Sequence, residues 1–398
     1  MCLVEGKMKA KHLSTLILIP FFLAHFCCSK ADEQGTQWKG KIEYEDGVKV
    51  VKNPDEPVFG EIQFELEEDL ILGSEKNEQD LFDKVFDVKV DRNGTIYVYD
   101  IRERKVRRIS PDGEYMEDIG TVGQGPGEFQ SPRAIWIDDR TGNLYVVDFL
   151  KIHVFDKQGI FTNVIHLQKM FTEIYVDSDG NIWAKGFDVN ESGRFHIFDK
   201  ISAKGEVLEE IASFPEMEGS ETVGRKGDEV TVVSFEHGYE YKMFVSNVDD
   251  ESFIYGYSKV YVLHKYDKSG NLLSKIVIEE RPQGFTAKEK DIVLSNLGKK
   301  ARDQVQLPKT KPFFKSIFSD SEGRIFVQRM PSPLSDPEIH EYDILSKEGY
   351  YIYRTTFPYK PLVIKNKNFY ALVFDEETGL EFVKRFRIKN WKQIKAGI

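Results

Sequence analysis

The chain has 398 residues, enough for one large or two ordinary domains. Its 55 Lys and Arg against 66 Asp and Glu give a formal charge of −11, and no basic stripe interrupts this balance, which argues against a nucleic-acid partner. All three cysteines, Cys2, Cys27 and Cys28, fall in the first 28 residues, so no disulfide can staple the remainder.

The N-terminus reads as an export leader. Lys9 and Lys11 precede the apolar run Leu13 to Phe26, which is too short to span a bilayer comfortably and is followed by Cys27-Cys28-Ser29. Met8 is an alternative start that brings the lysines to the front. A cysteine closing such a leader resembles a bacterial lipobox, and Cys28 fits better than Cys27 because the residue before the cut should be small. His25 and Phe26 depart from the usual lipobox pattern, and plain cleavage near Ser29 is the alternative. Residues 29–52, opening with SKADEQGTQ, read as a polar tether. An N-P-x-x-P segment, Asn53 to Pro57, and the strand-like GEIQFELEEDLILG, Gly60 to Gly73, follow.

From residue 82 the chain repeats itself. VFDVKVDRNGTIYVYD is echoed by RAIWIDDRTGNLYVVD, EIYVDSDGNIWAKG and SIFSDSEGRIFVQR, each a pair of alternating strands around an Asp-rich turn ending in Gly. A second echo (VRRISPDG, IHVFDKQG, FHIFDKISAKG, LHKYDKSG, IHEYDILSKEG) follows each, and its glycines Gly113, Gly159 and Gly205 recur every 46 residues. Four short strands per period without a helix is the pattern of a β-propeller blade. The fold class is therefore all-β: a six-bladed β-propeller of four-stranded antiparallel blades with one short helical insertion. The blades are expected at 82–120, 123–167, 170–215, 240–281, 312–358 and 359–394, within a domain spanning 53–394 and followed by a short tail, 395–398. The last blade shows three strands, and Gly60 to Gly73 is expected to supply the fourth and close the ring. Asp91, Asp138 and Asp177 in the turns are turn-capping residues, with calcium ligation as the alternative.

The glycine-rich GTVGQGPGEFQSPRAIWID, Gly120 to Asp138, runs into an alternating strand and not a helix, so no helix N-terminus is available to hold a phosphate. It reads as a crossover between blades, with Phe129 wedged between sheets and Pro132 opening an innermost strand. Gly123 to Gly159 resembles an NHL-type propeller repeat. The wider layout, a cysteine leader, an N-P-x-x-P segment and then repeats, resembles the bacterial six-bladed β-propeller lipoproteins related to NHL proteins. The resemblance covers about residues 53–394, is strongest over 82–160, and weakens where later blades lose the turn Asp-Gly pair. It implies architecture and an acyl anchor on Cys28, and it assigns no chemistry.

Four insertions depart from the repeat: Phe187 to Arg194, Pro215 to Tyr239, Pro282 to Lys311 and Met330 to Glu338. All fall on second-to-third or blade-to-blade connections, which share one face of a propeller. Within the third, Thr286 to Val305 has a Thr N-cap and an apolar stripe of Ile292, Val293, Leu294 and Leu297, which predicts an amphipathic helix. Insertions gathered on one face mark a binding side, the alternative being that they plug the channel. The histidines show no metal-ligand spacing; His153 and His264 fall on third strands, and only His237 lies in an insertion. No G-x-S-x-G elbow is present. The innermost strands offer Asp87, Arg133, Glu173 and Lys315, a mixed-charge ring and not a ligand set. The expectation is an exported, membrane-anchored bacterial lipoprotein, periplasmic or at the cell surface. It would act as a non-enzymatic module that binds a protein, peptide or glycan without a cofactor. Phe235, Tyr239, Phe285 and Arg329 on the insertions, with Arg133 at the channel, are the expected anchors. The alternatives are a metal-dependent lyase or lactonase holding Ca²⁺ or Zn²⁺ at the channel mouth, and a purely structural role.

Overall fold

Each alternating run becomes a strand because only an extended backbone puts every second side chain into a core. In the computed structural model six blades follow one another along the chain; five are four-stranded antiparallel sheets, and the sheet of blade four is extended to six strands by an N-terminal hairpin. The structure describes residues 37–73, 81–191, 193–216, 218, 221–226, 229–234, 236–302 and 305–398, so the leader and Cys28 lie outside the described residues. Blade one is Val85–Val90, Ile96–Asp100, Lys105–Ile109 and Tyr115–Ile119; blade two is Pro132–Ile137, Leu144–Asp148, Lys151–Phe155 and Phe161–His166. Blade three is Met170–Val176, Ile182–Asn190, Gly193–Ile201 and Val207–Pro215; blade four is Met243–Asp249, Ser252–Tyr257, Val262–Asp267 and Leu272–Ile278. Blade five is Phe314–Ser319, Ile325–Arg329, His340–Leu345 and Tyr351–Phe357; blade six begins with Pro361–Lys365, Asn368–Phe374 and Glu381–Ile388.

The turns form for the reason their sequence suggests. Asp91 Oδ1 accepts the amides of Asn93 and Thr95, both at 2.8 Å, and Asp177, Asp267 and Asp320 repeat the arrangement. The cores lie between neighbouring sheets. Phe129, fully buried, fills the space between blades one and two, and Trp183 stacks on Phe253 at 4.4 Å between blades three and four. Burying each such ring stabilises the ring of blades by about 1.5–3 kcal/mol. The crossover glycines serve this packing: Gly120 has φ +79°, and a Cβ there would lie 2.1 Å from the Phe129 ring.

The N-terminal segment binds three blades together. Strand β1, Lys41–Glu45, and strand β2, Val48–Asn53, form a hairpin around Asp46-Gly47. Strand β2 pairs in parallel with the outer strand of blade four, from Lys49 opposite Ser274 to Asn53 opposite Ile278. The polar tether expected over 29–52 therefore gives way to sheet by residue 41. Its charged side chains face out while Val50 and Val51 are buried. Asn53, wholly buried, joins blade four to blade five. Its Nδ2 donates to the Gly349 carbonyl at 2.9 Å, and its Oδ1 accepts from the Tyr351 amide at 2.9 Å and from Trp38 Nε1 at 3.0 Å.

The chain then runs along the outer strand of blade five, with the amides of Val58, Phe59 and Ile62 donating to the carbonyls of Tyr351, Ile352 and Arg354. Only after this does strand β3, Leu66–Leu72, pair antiparallel with Glu381–Ile388 and complete blade six. The closing strand is thus shorter than Gly60 to Gly73, whose first residues cover blade five instead.

Deleting Gly60 to Gly73 should expose the edges of blades five and six and yield insoluble protein; a soluble variant that melts cooperatively would disprove this role. Asn53→Ala leaves two backbone groups and an indole N–H without partners, so unfolding by denaturant should show a loss of about 2–4 kcal/mol.

Candidate functional site

The first strand of each blade runs from the face where blades connect to the face of the first turns. All four insertions lie on the former, hereafter the insertion face. They are not separate loops. Tyr239 meets Phe285 edge-on, with ring centroids 5.2 Å apart, and its hydroxyl donates to the Pro331 carbonyl at 3.2 Å. The Tyr241 hydroxyl donates to the Thr310 carbonyl at 2.9 Å, and the Lys311 amide reaches the Gln283 carbonyl at 2.8 Å, closing the base of the third insertion.

Glu289 is the centre of this cap. It is buried, and its carboxylate accepts from Ser332 Oγ at 2.6 Å, Lys311 Nζ at 2.7 Å and the Thr286 amide at 2.8 Å. Helix α1, Ala287–Ser295, starts from a capping box in which the Thr286 side chain and Glu289 satisfy each other's amides. The helix expected over Thr286 to Val305 stops at Ser295, because Gly298 interrupts it before the single turn α2, Lys299–Arg302. Of its apolar stripe Val293 is buried. Hydrogen bonds from Lys311, Ser332 and Thr286 pull the Glu289 carboxyl down to about 2. The second insertion contains a hairpin, Glu221–Lys226 with Glu229–Ser234, where a loop was expected.

The expected anchors fare differently. Phe235 lies outside the described residues. Tyr239 and Phe285 come together, half-buried within the cap. Arg329 is not a free anchor: its guanidinium reaches Glu280 at 2.7 Å, Asp343 at 2.8 Å and Glu341 at 3.3 Å, and its side chain is 17% exposed. Asp343, fully buried, also accepts from the Tyr261 hydroxyl at 2.6 Å and from Tyr351 and Arg354. Burial would raise its carboxyl, but the two arginines and two hydroxyls together hold it below the ordinary value. Sequence could not show that carboxylates from blades four and five converge on one arginine.

Arg133 is exposed on a β-bulge at the start of blade two's inner strand. Comparable bulges at the starts of blades one, three, five and six turn Phe86, Thr172, Lys315 and Leu362 out of the ladder. Asp87, Arg133 and Glu173 line one axial cavity of about 210 Å³; Lys315 does not line it. Trp136 and Lys89 divide this space from a cavity of about 420 Å³ at the turn face. Four carboxylates around that second cavity are committed, Asp138 to Arg140, Asp249 to Lys347, Asp320 to Arg324 and Asp139 to Lys365. Asp250 and Glu322 line it without an ion pair among the described residues, and burial raises the Asp250 carboxyl. No group of three or more His, Cys, Asp or Glu among the described residues could hold a metal ion.

The histidines are mostly packed into sheets. Burial, aided by Lys185, Lys242 and Arg194, pushes His196 down to about 3, and burial with Lys275 pushes His264 to about 4. His237 Nδ1 accepts the Tyr239 amide at 3.1 Å, a turn contact.

The two faces differ in apolar exposure. Phe86, Val122, Phe149, Val189, Val260, Leu334, Ile339 and Phe374 are exposed at strand ends or connections of the insertion face. On the other face, among the described residues, Ile160 is so exposed in a turn, and Tyr115, Met116, Leu208 and Leu273 are exposed at the strand starts that follow its turns.

Residues 75–199 match a family model, DUF5128, described as a 6-bladed beta-propeller. Among curated proteins no match was found. The chain is similar to three solved structures. A candidate exported protein of Bacteroides fragilis is 12% identical over 83% of this chain and 99% of that one, with a TM-score of 0.49. A duf4221 family member of Bacteroides vulgatus is 12% identical over 82% and 98%, with 0.46. A virginiamycin B lyase of Staphylococcus aureus is 11% identical over 81% and 99%, with 0.41.

Because Glu289 is held at about 2, below the ordinary 4.5, its contribution to the cap is complete above the ordinary value and is lost as pH falls from about 4.5 towards 2. Hydrogen exchange over 282–311 should accelerate across that window. Glu289→Gln should flatten the response and weaken the cap by about 1–3 kcal/mol at neutral pH. An unchanged pH profile in the variant would remove Glu289 from this role.

Proposed function

We propose that this propeller is a non-enzymatic binding module, exported and held at a bacterial membrane by an acyl chain on Cys28, that receives a protein, peptide or glycan on its insertion face. The observation that carries this reading is the set of interlocked insertions together with the apolar side chains around them: eight are exposed at the connections and strand ends of the insertion face, against Ile160, Tyr115, Met116, Leu208 and Leu273 at those of the other. Fixed loops that carry exposed apolar side chains on one face favour that face for docking. The interlocked cap adds preorganisation, since loops already fixed by Glu289 and Tyr239 lose little entropy when a partner docks. Tyr239, Phe285 and Arg133 remain the proposed contact residues; Arg329 supports the face from beneath. The lyase or lactonase reading has less in its favour, because most carboxylates at the turn-face cavity already hold lysines, arginines or turn amides and, among the described residues, only Asp250 and Glu322 there are without an ion pair. Metal analysis of the purified chain would revive it by finding stoichiometric Ca²⁺ or Zn²⁺.

Replacing 219–235 by a short Gly-Ser turn should leave the melting temperature nearly unchanged while weakening capture of the envelope partner. With that partner bound, hydrogen exchange should slow at Phe149, Val260 and 330–339; protection confined to the turns at 91–95, 177–181 and 267–271 would show the face to be wrong.

The leader supports the anchor. Cys28→Ala should move the protein out of the membrane fraction, since no helix among the described residues is long and apolar enough to cross a bilayer. An intact mass for the wild-type chain that begins unmodified at or beyond Ser29 would disprove acylation.

A further inference from the structure

We infer that the insertion face contains an oxyanion site on blade five, built on Lys315 with Lys360 and His340 beside it, which takes a carboxylate or phosphate group of the ligand. The inference rests on the reading of that face as the binding face and names the chemistry it selects. Lys315 occupies the bulge between Phe314, opposite Arg329, and Ser316, opposite Gln328, so its side chain leaves the ladder at the insertion-face end of the inner strand. His340 opens the third strand of the same blade, opposite Phe357. Lys360 lies in the connection from there to Pro361, the first residue of blade six. These elements bring three nitrogen side chains to one end of one blade.

The grouping lacks a counter-ion. Several half-buried lysines in this acidic protein hold carboxylates, Lys169 with Asp199 at 3.0 Å, Lys268 with Glu251 at 3.0 Å and Lys311 with Glu289 at 2.7 Å, while Lys49 and Lys200 lie over aromatic rings and Lys265 donates to the Lys347 carbonyl. Lys315 is half-buried and, among the described residues, makes no ion pair or hydrogen bond; Lys360 makes none either. A partly desolvated ammonium without an anion is unfavourable, and more so beside a second one. Burial followed by repulsion from Lys360 holds the Lys315 amine below its ordinary value, and burial with both lysines does the same to His340.

The neutral imidazole has its tautomer set by its neighbours. Ser316 Oγ donates to Gln328 Oε1 at 3.0 Å, which turns the buried Gln328 amide nitrogen towards His340 Nδ1, 3.5 Å away. We assign the proton to Nε2, the tautomer in which Nδ1 accepts from that amide. The site then presents two ammonium groups and an Nε2–H, all donors, to a ligand with none of its own. An oxyanion fits this set better than a neutral hydroxyl, which accepts hydrogen bonds but brings no charge to offset two ammonium groups.

The test uses the full chain with its lysines carrying ¹³C-methyl labels, titrated with inorganic phosphate in one arm and sodium glucuronate in the other. The Lys315 resonance should move saturably in at least one arm, with its amine titrating higher when the anion is bound; the arm that saturates identifies phosphate or carboxylate as the source. Lys315→Met should lower the affinity by about tenfold or more, and Lys315→Arg should retain it. Lys204→Met, at an exposed turn of the other face, should change nothing. Non-saturating shifts of equal size at Lys204 and Lys315, or an affinity untouched by Lys315→Met, would overturn the site. If that happens while the partner's hydrogen-exchange footprint still falls on the insertion face, the anion site fails and the binding face stands; a footprint on the turns removes both.

Discussion

A ring of sheets is only as stable as its seam, because an unclosed seam leaves two long edges of unpaired amides and carbonyls. Here the seam is closed by one continuous stretch, residues 48–72, that gives strand β2 to blade four, backbone hydrogen bonds to blade five and strand β3 to blade six. Asn53 is the point on which this stretch turns. Its amide joins blade four's outer strand to the Gly349-Tyr351 turn of blade five, so the chain leaves one blade already oriented for the next. The C-terminus is held in the same region: Arg324 lies over the Trp391 ring at 4.1 Å and donates to the Ile394 carbonyl at 2.8 Å. With both ends fixed to the last three blades, the loops of the insertion face can vary without opening the ring.

Closure leaves the two faces under different constraints. On the turn face most turn aspartates have work inside the fold, capping their own turn or reaching the next blade, as Asp139 does in taking the Arg92 amide at 2.9 Å. Lengthening such a turn would break a link between blades. The insertion face has such links at fixed points, Glu381 of blade six taking the Val85 amide of blade one and Asp148 the Gln130 and Ser131 amides, but the insertions lie between those points, where loop length costs little stability. The insertions instead stabilise one another, through Tyr239, Phe285 and the Glu289 carboxylate, and form a surface that is fixed without being required by the ring.

Much of this architecture could be read from the residues. The repeated Asp-to-Gly turns between alternating strands gave the blades and their order, and the three-stranded last blade required a strand from elsewhere. The hairpin of β1 and β2 was missed although its signal was present: Asp46-Gly47 between alternating runs is hairpin chemistry, with φ of 50° and 84° at the two positions. The polar SKADEQGTQ that opens the segment was read on through residue 52, and charged residues alone do not exclude an outer strand with one wet side. The T-A-K-E run, Thr286 to Glu289, was equally readable as a capping box. Arg329 was not readable, since its partners Glu280, Glu341 and Asp343 arrive from two blades and only the fold brings them together.

The ion pairs argue the same division from the side of charge. In a chain with an excess of acid, cations are the scarce partner, and folding places them where carboxylates would otherwise repel: Lys347 on Asp249, Lys365 on Asp139, Arg329 among three acids. Ammonium groups left over in such a chain stand out more than they would in a basic one. Lys315 and Lys360 are left over at the end of blade five that faces the exposed apolar tips Leu334 and Ile339, not at the turn face where acids are abundant. Moving either lysine to the turn face would relieve its repulsion and give it a carboxylate. The fold's own electrostatics therefore do not explain their position, and an anion arriving from outside does.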